Sequence, residues 1–238
     1  MRFRGTKLNL RRCLVPEGPF MMGMKGDSFD ESPVHRVLLS AFEMSRTPVL
    51  NRDYAVFMKK TGADPPQWWN DPNFNDPKQP VVGVNWHEAR AYCDWIAESS
   101  GSSIRLPTEA EFEKAARGGL QGADYPWGND PEGHHYKIAK GPLTGPYKPS
   151  ENPPNAYGLH DMVSNIHQWC LDGYDPNYYE ESPSRNPTGS RSADLRAARG
   201  ATWNQENLFC RCAARSGLAA YFRVNDFGFR WVIGPRVE

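Results

Sequence analysis

No stretch of this chain approaches the ~20 consecutive apolar residues that a membrane-spanning helix needs, so no membrane partner is expected. Neither sign of charge is in excess, with Lys+Arg 28 against Asp+Glu 28. A basic surplus supplies most non-specific affinity for nucleic acid, and its absence argues against a nucleic-acid partner. Cysteine is scarce and scattered (Cys13, Cys93, Cys170, Cys210, Cys212), which excludes a disulfide scaffold. Residues Met1 to Leu10 are basic but lack the apolar core of a signal peptide, so the expected location is cytoplasmic. Ser/His/Asp hydrolase elements and a phosphate-cradling glycine loop are missing. Gly118-Gly119 follows a helical pattern, and the end of the helix dipole it marks repels an anion. No linker, charge block or repeat divides the chain, which favours one domain.

Glycine, proline and large aromatics are plentiful: Gly 21, Pro 21, Trp 8. That mixture points to long packed loops over an aromatic core. Three helices are expected. One is capped by Asn51, carries Tyr54, Phe57 and Met58 on its inner face and ends at Gly62. A second is capped by Asn85 with Glu88 three residues on, a capping box, and its stripe is Trp86, Ala89, Cys93 and Ile96. The third follows Thr108, whose partner is Glu111, and stops at Gly118. Short strands are expected from Phe20 to Gly23, His35 to Phe42 and Phe227 to Ile233, with irregular chain over residues 63–84 and 119–160. The class is α+β with little regular structure. Cys93 and Cys170 are expected to be buried, with Cys210 or Cys212 the more accessible thiol.

The run Arg105-Leu-Pro-Thr-Glu-Ala-Glu-Phe-Glu-Lys-Ala-Ala-Arg-Gly-Gly119, followed by Tyr125-Pro-Trp-Gly-Asn129, resembles the signature of the formylglycine-generating enzyme (sulfatase-modifying factor) family. The resemblance continues in order. Val15-Pro16-Glu17-Gly18-Pro19-Phe20-Met21-Met22-Gly23, Thr47-Pro48-Val49-Leu50-Asn51, Pro153-Pro154-Asn155-Ala156-Tyr157-Gly158-Leu159 and Phe227-Gly228-Phe229-Arg230 all carry it. It implies a C-type-lectin-like variant fold over residues 13–238, with 1–12 as an N-terminal extension.

In that family's oxidases two cysteines of the C-terminal block hold copper(I), the soft ion that thiolates select. A cysteine of a substrate polypeptide is oxidised there to formylglycine. Counting the family spacing forward from Arg199-Gly200 puts the ligand positions on Gln205 and Cys210. Counting backward from Cys212-Ala213-Ala214-Arg215 puts them on Thr202 and Asn207. Neither yields a cysteine pair. Cys210 and Cys212 are the remaining catalytic candidates, since i and i+2 share one face of a strand. The packing alternative is that both are core residues.

The resemblance also implies calcium, held by oxygen ligands in two loops. One aligns with Ser164-Asn165-Ile166-His167-Gln168-Trp169, where Asn165, Ile166 and Gln168 are the candidate ligands. Gln168 has no carboxylate charge, which weakens calcium affinity. The other loop contains His135-Tyr136-Lys137-Ile138, with a cation where oxygen belongs, so at most one weak ion is expected. His134, His135, His160 and His167 lack the spacing of a helical zinc motif and read as structural. The ranking that follows puts a binding module or degenerate homologue first. It would take a polypeptide, glycan or small ligand in a C-terminal cleft lined by Trp203, Gln205, Asn207, Arg215 and Arg230. At least one of the two arginines is expected to serve instead as a structural partner of buried carboxylates. Second comes a copper-dependent oxidase that matures sulfatases. A different oxidation on the same fold, with His or Cys ligands, is a third possibility.

Overall fold

Local signals at helix ends are realised closely in the computed structural model, which describes residues 10–26, 28–132, 144–149, 151–205 and 209–237. Helix α2 (Trp86–Ser100) and helix α3 (Glu109–Arg117) both begin on complete capping boxes, Asn85/Glu88 and Thr108/Glu111. Helix α1 (Asn51–Thr61) ends on left-handed Gly62, and α3 on left-handed Gly118, where only glycine turns without strain. Asn51, however, does not cap α1. The helix starts on it, Leu50 occupies the cap position, and no side chain caps the first turn. The Asn51 amide instead donates to Phe74 O (2.7 Å) and Asp76 O (2.9 Å), pinning the irregular 63–84 loop across the helix start. A long-range demand for donors outcompeted the local one.

Strands β1 (Arg12–Val15), β4 (Phe42–Ser45), β10 (Val232–Ile233) and β5 (Ile104–Arg105) form one sheet in the order β1-β4-β10-β5. Strands β2 (Gly18–Met22) and β3 (His35–Leu39) form a second. The third has the order β8-β7-β6-β9, from β6 (His167–Tyr174), β7 (Leu195–Arg199), β8 (Arg215–Ala219) and β9 (Phe227–Gly228). Two of the expected strands are each split between sheets. His35 to Phe42 divides into β3 and the start of β4, and Phe227 to Ile233 into β9 and β10. Strands β1 and β5 to β8 carried no readable alternation. The cause is visible in β6, which is buried at nearly every position, so the two-residue period is lost. This α+β arrangement encloses two large apolar clusters. One lies around Phe20, Val37, Met44, Phe112 and Cys210, the other around Tyr54, Trp86, Tyr92, Trp169 and Phe229. Cys93 and Cys170 are buried as expected. No helix of the described residues is long and apolar enough to cross a membrane.

The signature helix α3 has an unusual environment: all nine of its residues are buried, Glu109, Glu111, Glu113, Lys114 and Arg117 included. Buried charges are tolerated only when paired, and each of these is. Glu109 accepts from Arg215 Nε (2.7 Å) and Nη2 (2.9 Å). Glu111 takes both ends of the Arg105 guanidinium at 2.7 Å. Glu113 accepts from Arg117 (2.7 Å), Gly23 N (2.8 Å) and Arg199. Lys114 Nζ caps the carbonyls of Pro16 (2.7 Å) and Gly18 (2.8 Å). The signature is therefore an ion-pair bolt joining α3 to β7, β8 and the loops near residues 16–23.

Candidate functional site

The C-terminal segment after β7 turns sharply at Gly200, where φ is +85° and an added Cβ would meet Met162 O at 2.9 Å. Only glycine passes there. Thr202 to Gln205 then close a tight turn, with Gln205 N on Thr202 O (3.2 Å) and Thr202 N on Gln205 Oε1 (3.1 Å). Gln205 is thus committed through its carbonyl oxygen to its own turn. Trp203 folds inward against Phe74, ring centroids 6.2 Å apart, within a small cluster with Val82 and Ile166. Asn207 lies outside the described residues, as do His134, His135 and Lys137.

The accessibility expected of Cys210 or Cys212 is overturned. Cys210 and Cys212 are buried, and neither lies in a strand, so no shared strand face presents them to one ion. Burial pushes each thiol up to about 12, which keeps both protonated near neutral pH. The chain before Cys212 is drawn inward because Cys212 N donates to Asp124 O (2.7 Å) and Cys212 O accepts from Arg199 (3.1 Å). The most accessible described thiol is Cys13, half-buried, with Sγ 3.3 Å from Gly158 O. Copper(I) selects thiolates, and Cys210 and Cys212 are packed into the apolar cluster instead of facing an open site.

Arg215 and Arg230 are likewise placed inside the protein rather than on a ligand. Arg215 clamps Glu109 and donates to Asp30 O (2.6 Å). Fully buried Arg230 donates to Gln168 Oε1 (2.5 Å), Ser45 O (3.1 Å), His160 O (2.8 Å) and Asp161 O (3.1 Å). The structural fate expected for one of them applies to both.

The calcium candidates are committed too. Asn165, at φ +78°, exchanges both amide hydrogen bonds with the Tyr147 backbone (3.0 and 2.9 Å). Gln168 gives its oxygen to Arg230 and its NH2 to Asp161 O (3.0 Å). Ile166, whose side chain packs in the small aromatic cluster, could ligate only through its backbone carbonyl. An uncommitted carboxylate next to them belongs to Asp161, which the sequence places beside the histidines and not among the calcium candidates. Asp161 sits at φ +52° with both carboxylate oxygens buried and outside hydrogen-bond geometry. Burial raises its carboxyl to about 7 against the pull of Arg230 and the Asn165 and Asn152 amides. The charges that act on this carboxyl are the Arg230 cation and the Glu151 carboxylate. Among the described residues no group of three or more His, Cys, Asp or Glu side chains is arranged to hold a metal.

Around the 202–205 turn, three buried polar atoms lack partners among the described residues: Trp203 Nε1, His167 Nδ1 and Asp226 Oδ1. The parallel β6–β9 register brings His167 beside Phe227, with His167 N donating to Asp226 O (2.8 Å), and Trp203 N donates to Asn165 O (2.8 Å) just before β6. Burial lowers His167 to about 4, leaving a neutral imidazole, and raises Asp226, which the Thr202 hydroxyl steadies in its charged form. An indole donor, a neutral imidazole and a carboxyl are hydrogen-bonding equipment, and most buried polar groups of native proteins are satisfied. Sequence reasoning placed Trp203 here and assigned His167 to the core. It missed Asp226, whose only signal was its place directly before Phe227.

A family description, the sulfatase-modifying factor enzyme 1-like domain, matches residues 5–234. The chain belongs to this family. The formylglycine-generating enzyme of Streptomyces coelicolor is 32% identical over 96% of this chain and 90% of its own length. The serine/threonine-protein kinase pkn1 of Chlamydia pneumoniae is also 32% identical, over 91% of this chain, but the match spans only 37% of the kinase. Among solved structures, PvdO from Pseudomonas aeruginosa superposes with a TM-score of 0.82 at 28% identity, covering 93% of each chain.

Proposed function

We propose that this family member binds a ligand at the 202–205 turn without oxidising it. The observation that carries the reading is the state of Cys210 and Cys212, both buried thiols whose pKa is pushed up to about 12. An oxidase of the formylglycine-generating kind needs two thiolates beside a substrate thiol. This chain offers Gln205 at one of the counted ligand positions and Asn207 at another. Trp203, His167 and Asp226 supply a donor, a neutral imidazole and a carboxyl, which suit the amides or hydroxyls of a polypeptide, glycan or small polar molecule. The part-length match to a kinase supports the module reading, because such a domain there shares a chain with other sequence. One calcium ion at Asp161 belongs to the same proposal, as a structural ion beneath the site.

The oxidase reading keeps one observation in its favour, the similarity to a formylglycine-generating enzyme over nearly the whole chain. Copper(I) titration under reducing conditions, followed by oxygen uptake with a cysteine-containing peptide, separates the two. Weak copper binding and no peptide-dependent oxygen uptake are expected. Tight binding of one ion, lost in Cys210→Ser and coupled to oxygen consumption, would restore the oxidase. For the binding reading itself, ligands selected from glycan and peptide libraries should lose affinity in Asp226→Asn and Trp203→Phe. Equal affinity in both variants would move the site elsewhere.

A further inference from the structure

A cleft lies just beyond the C-terminal end of strand β4, remote in sequence from the 202–205 turn. It encloses about 260 Å³ and is lined by Arg11, Arg46, Arg52, Thr47 and His160, with Leu50 and Pro149 as its apolar wall. No carboxylate is among its lining residues. Three features of this cleft are each electrostatically unfavourable. Arg11 and Arg46 stand side by side just beyond the β1–β4 ladder, whose last pair is Arg12 with Ser45, and Arg46 N bonds Arg11 O at 2.9 Å. Like charges opposed across neighbouring strands destabilise a sheet. Arg52 occupies the first turn of α1, where the helix dipole disfavours a cation. Its nearest acid is its own neighbour Asp53, at a loose 3.9 Å. Among the described residues, half-buried Arg46 has no acceptor for its guanidinium within hydrogen-bond reach, although a withdrawn cation is normally paired.

The histidine in the same cleft fits the pattern. His160 Nδ1 lies 2.9 Å from Asn152 O, so that nitrogen carries the proton and donates. Burial lowers the pKa of His160, and Arg46 and Arg230 lower it further, so it adds no charge of its own. What results is a compact cationic recess on a protein of zero formal net charge.

The geometry points to an oxyanion site: Arg11, Arg46 and Arg52 line a recess that takes one phosphate or sulfate group, with the Thr47 hydroxyl as a further donor. An anion there turns three unfavourable placements into charge-assisted hydrogen bonds. The recess is smaller than the ~300–1,000 Å³ typical of whole-ligand pockets. It therefore accommodates the anionic group alone, free or as the esterified end of a larger molecule. This inference does not depend on the ligand of the 202–205 turn.

The test is calorimetric titration at constant ionic strength with inorganic phosphate, inorganic sulfate and a phosphate monoester such as phenyl phosphate, with chloride as the reference. Saturable one-site binding of phosphate or sulfate is expected, weakened about tenfold or more in Arg46→Gln. Exposed Arg52→Gln should weaken it similarly, and serves if the Arg46 variant fails to fold. Arg36→Gln, an exposed arginine away from the cleft, should leave affinity unchanged. A monoester that binds as tightly as phosphate identifies the ester end as the occupant. A monoester that binds markedly less well identifies the free ion. Absence of saturable binding for all three probes would overturn the proposal. So would equal affinity in the wild type and both cleft variants.

Discussion

Glu113 is the residue whose loss should show most directly what holds this fold together. Its carboxylate lies wholly inside the protein and accepts from Gly23 N, from Arg117 and from Arg199. Glu109 and Glu113 are the paired acids of a group that also contains Arg117, Arg199 and Arg215. Glu113→Gln keeps the shape but removes one of these two negative charges from among three cations. It also turns an amide NH2 towards a guanidinium that needs an acceptor. Breaking a buried pair by removing one partner costs about 3–5 kcal/mol, a large fraction of the ~5–15 kcal/mol that stabilises a typical domain. Glu43, paired at 2.7 Å with Arg12 on the surface, is the control, and Glu43→Gln should cost about 0–1 kcal/mol. Urea unfolding at neutral pH reads both as shifts of the midpoint at unchanged slope. Acidification provides a second reading. Burial pushes the Glu113 carboxyl up, but Arg199 and Arg117 outweigh it and hold it below the usual range. Its contribution is therefore complete above the unfolded-state pKa of ~4.3 and disappears as pH falls through the lower folded-state value. A loss below about 1 kcal/mol for Glu113→Gln, or one no greater than that of Glu43→Gln, would refute the ion-pair-bolt account.

Asp161 should behave in the opposite sense. Its folded-state pKa of about 7 lies above the unfolded ~3.9, so between those values the folded state holds a proton the unfolded state has lost, and stability falls as pH rises through that window. Asp161→Asn should flatten that slope and raise the melting temperature at pH 8, and a calcium-induced rise at pH 8 should vanish with it. An unchanged pH profile would remove Asp161 as the source. Thiol labelling of the folded protein should modify Cys13 first, with Cys93, Cys170, Cys210 and Cys212 reacting only on unfolding; early modification of Cys210 would contradict its burial. Asn85→Ala removes a complete capping box and should cost about 1 kcal/mol. Asn51→Ala should also destabilise, by stranding Phe74 O and Asp76 O, about 1–3 kcal/mol. Proteolysis within residues 63–84 should accelerate in the Asn51 variant and not in the Asn85 variant.

Helix ends were legible because their causes are local. Thr108 and Glu111, or Asn85 and Glu88, satisfy each other's turn within a few residues, and Gly62 and Gly118 stop a helix wherever they occur. The stripe Trp86, Ala89, Cys93, Ile96 identified a buried helix face for the same reason, since its period belongs to one element. The ordered motifs from Val15 to Arg230 carried the family. The absence of a cysteine at Gln205 and Asn207 carried the doubt about oxidation.

What sequence alone left open were the partners of charged and polar side chains, which depend on residues far away in the chain. Arg215 and Arg230 read as ligand residues until Glu109, and the carbonyls of Ser45, His160 and Asp161, came to meet them. One of Cys210 and Cys212 read as the more accessible thiol until the Asp124 and Arg199 hydrogen bonds turned that segment inward. The cationic recess joins Arg11 to Arg46 across two strands and adds Arg52 from the helix that follows. Backbone propensity and hydrophobic period are properties of neighbouring residues, so the chain itself determined the helices, the family and the missing thiolate pair. Whether a charge is paired, buried or left facing a cavity depends on contacts between distant segments, and only the tertiary structure decided that.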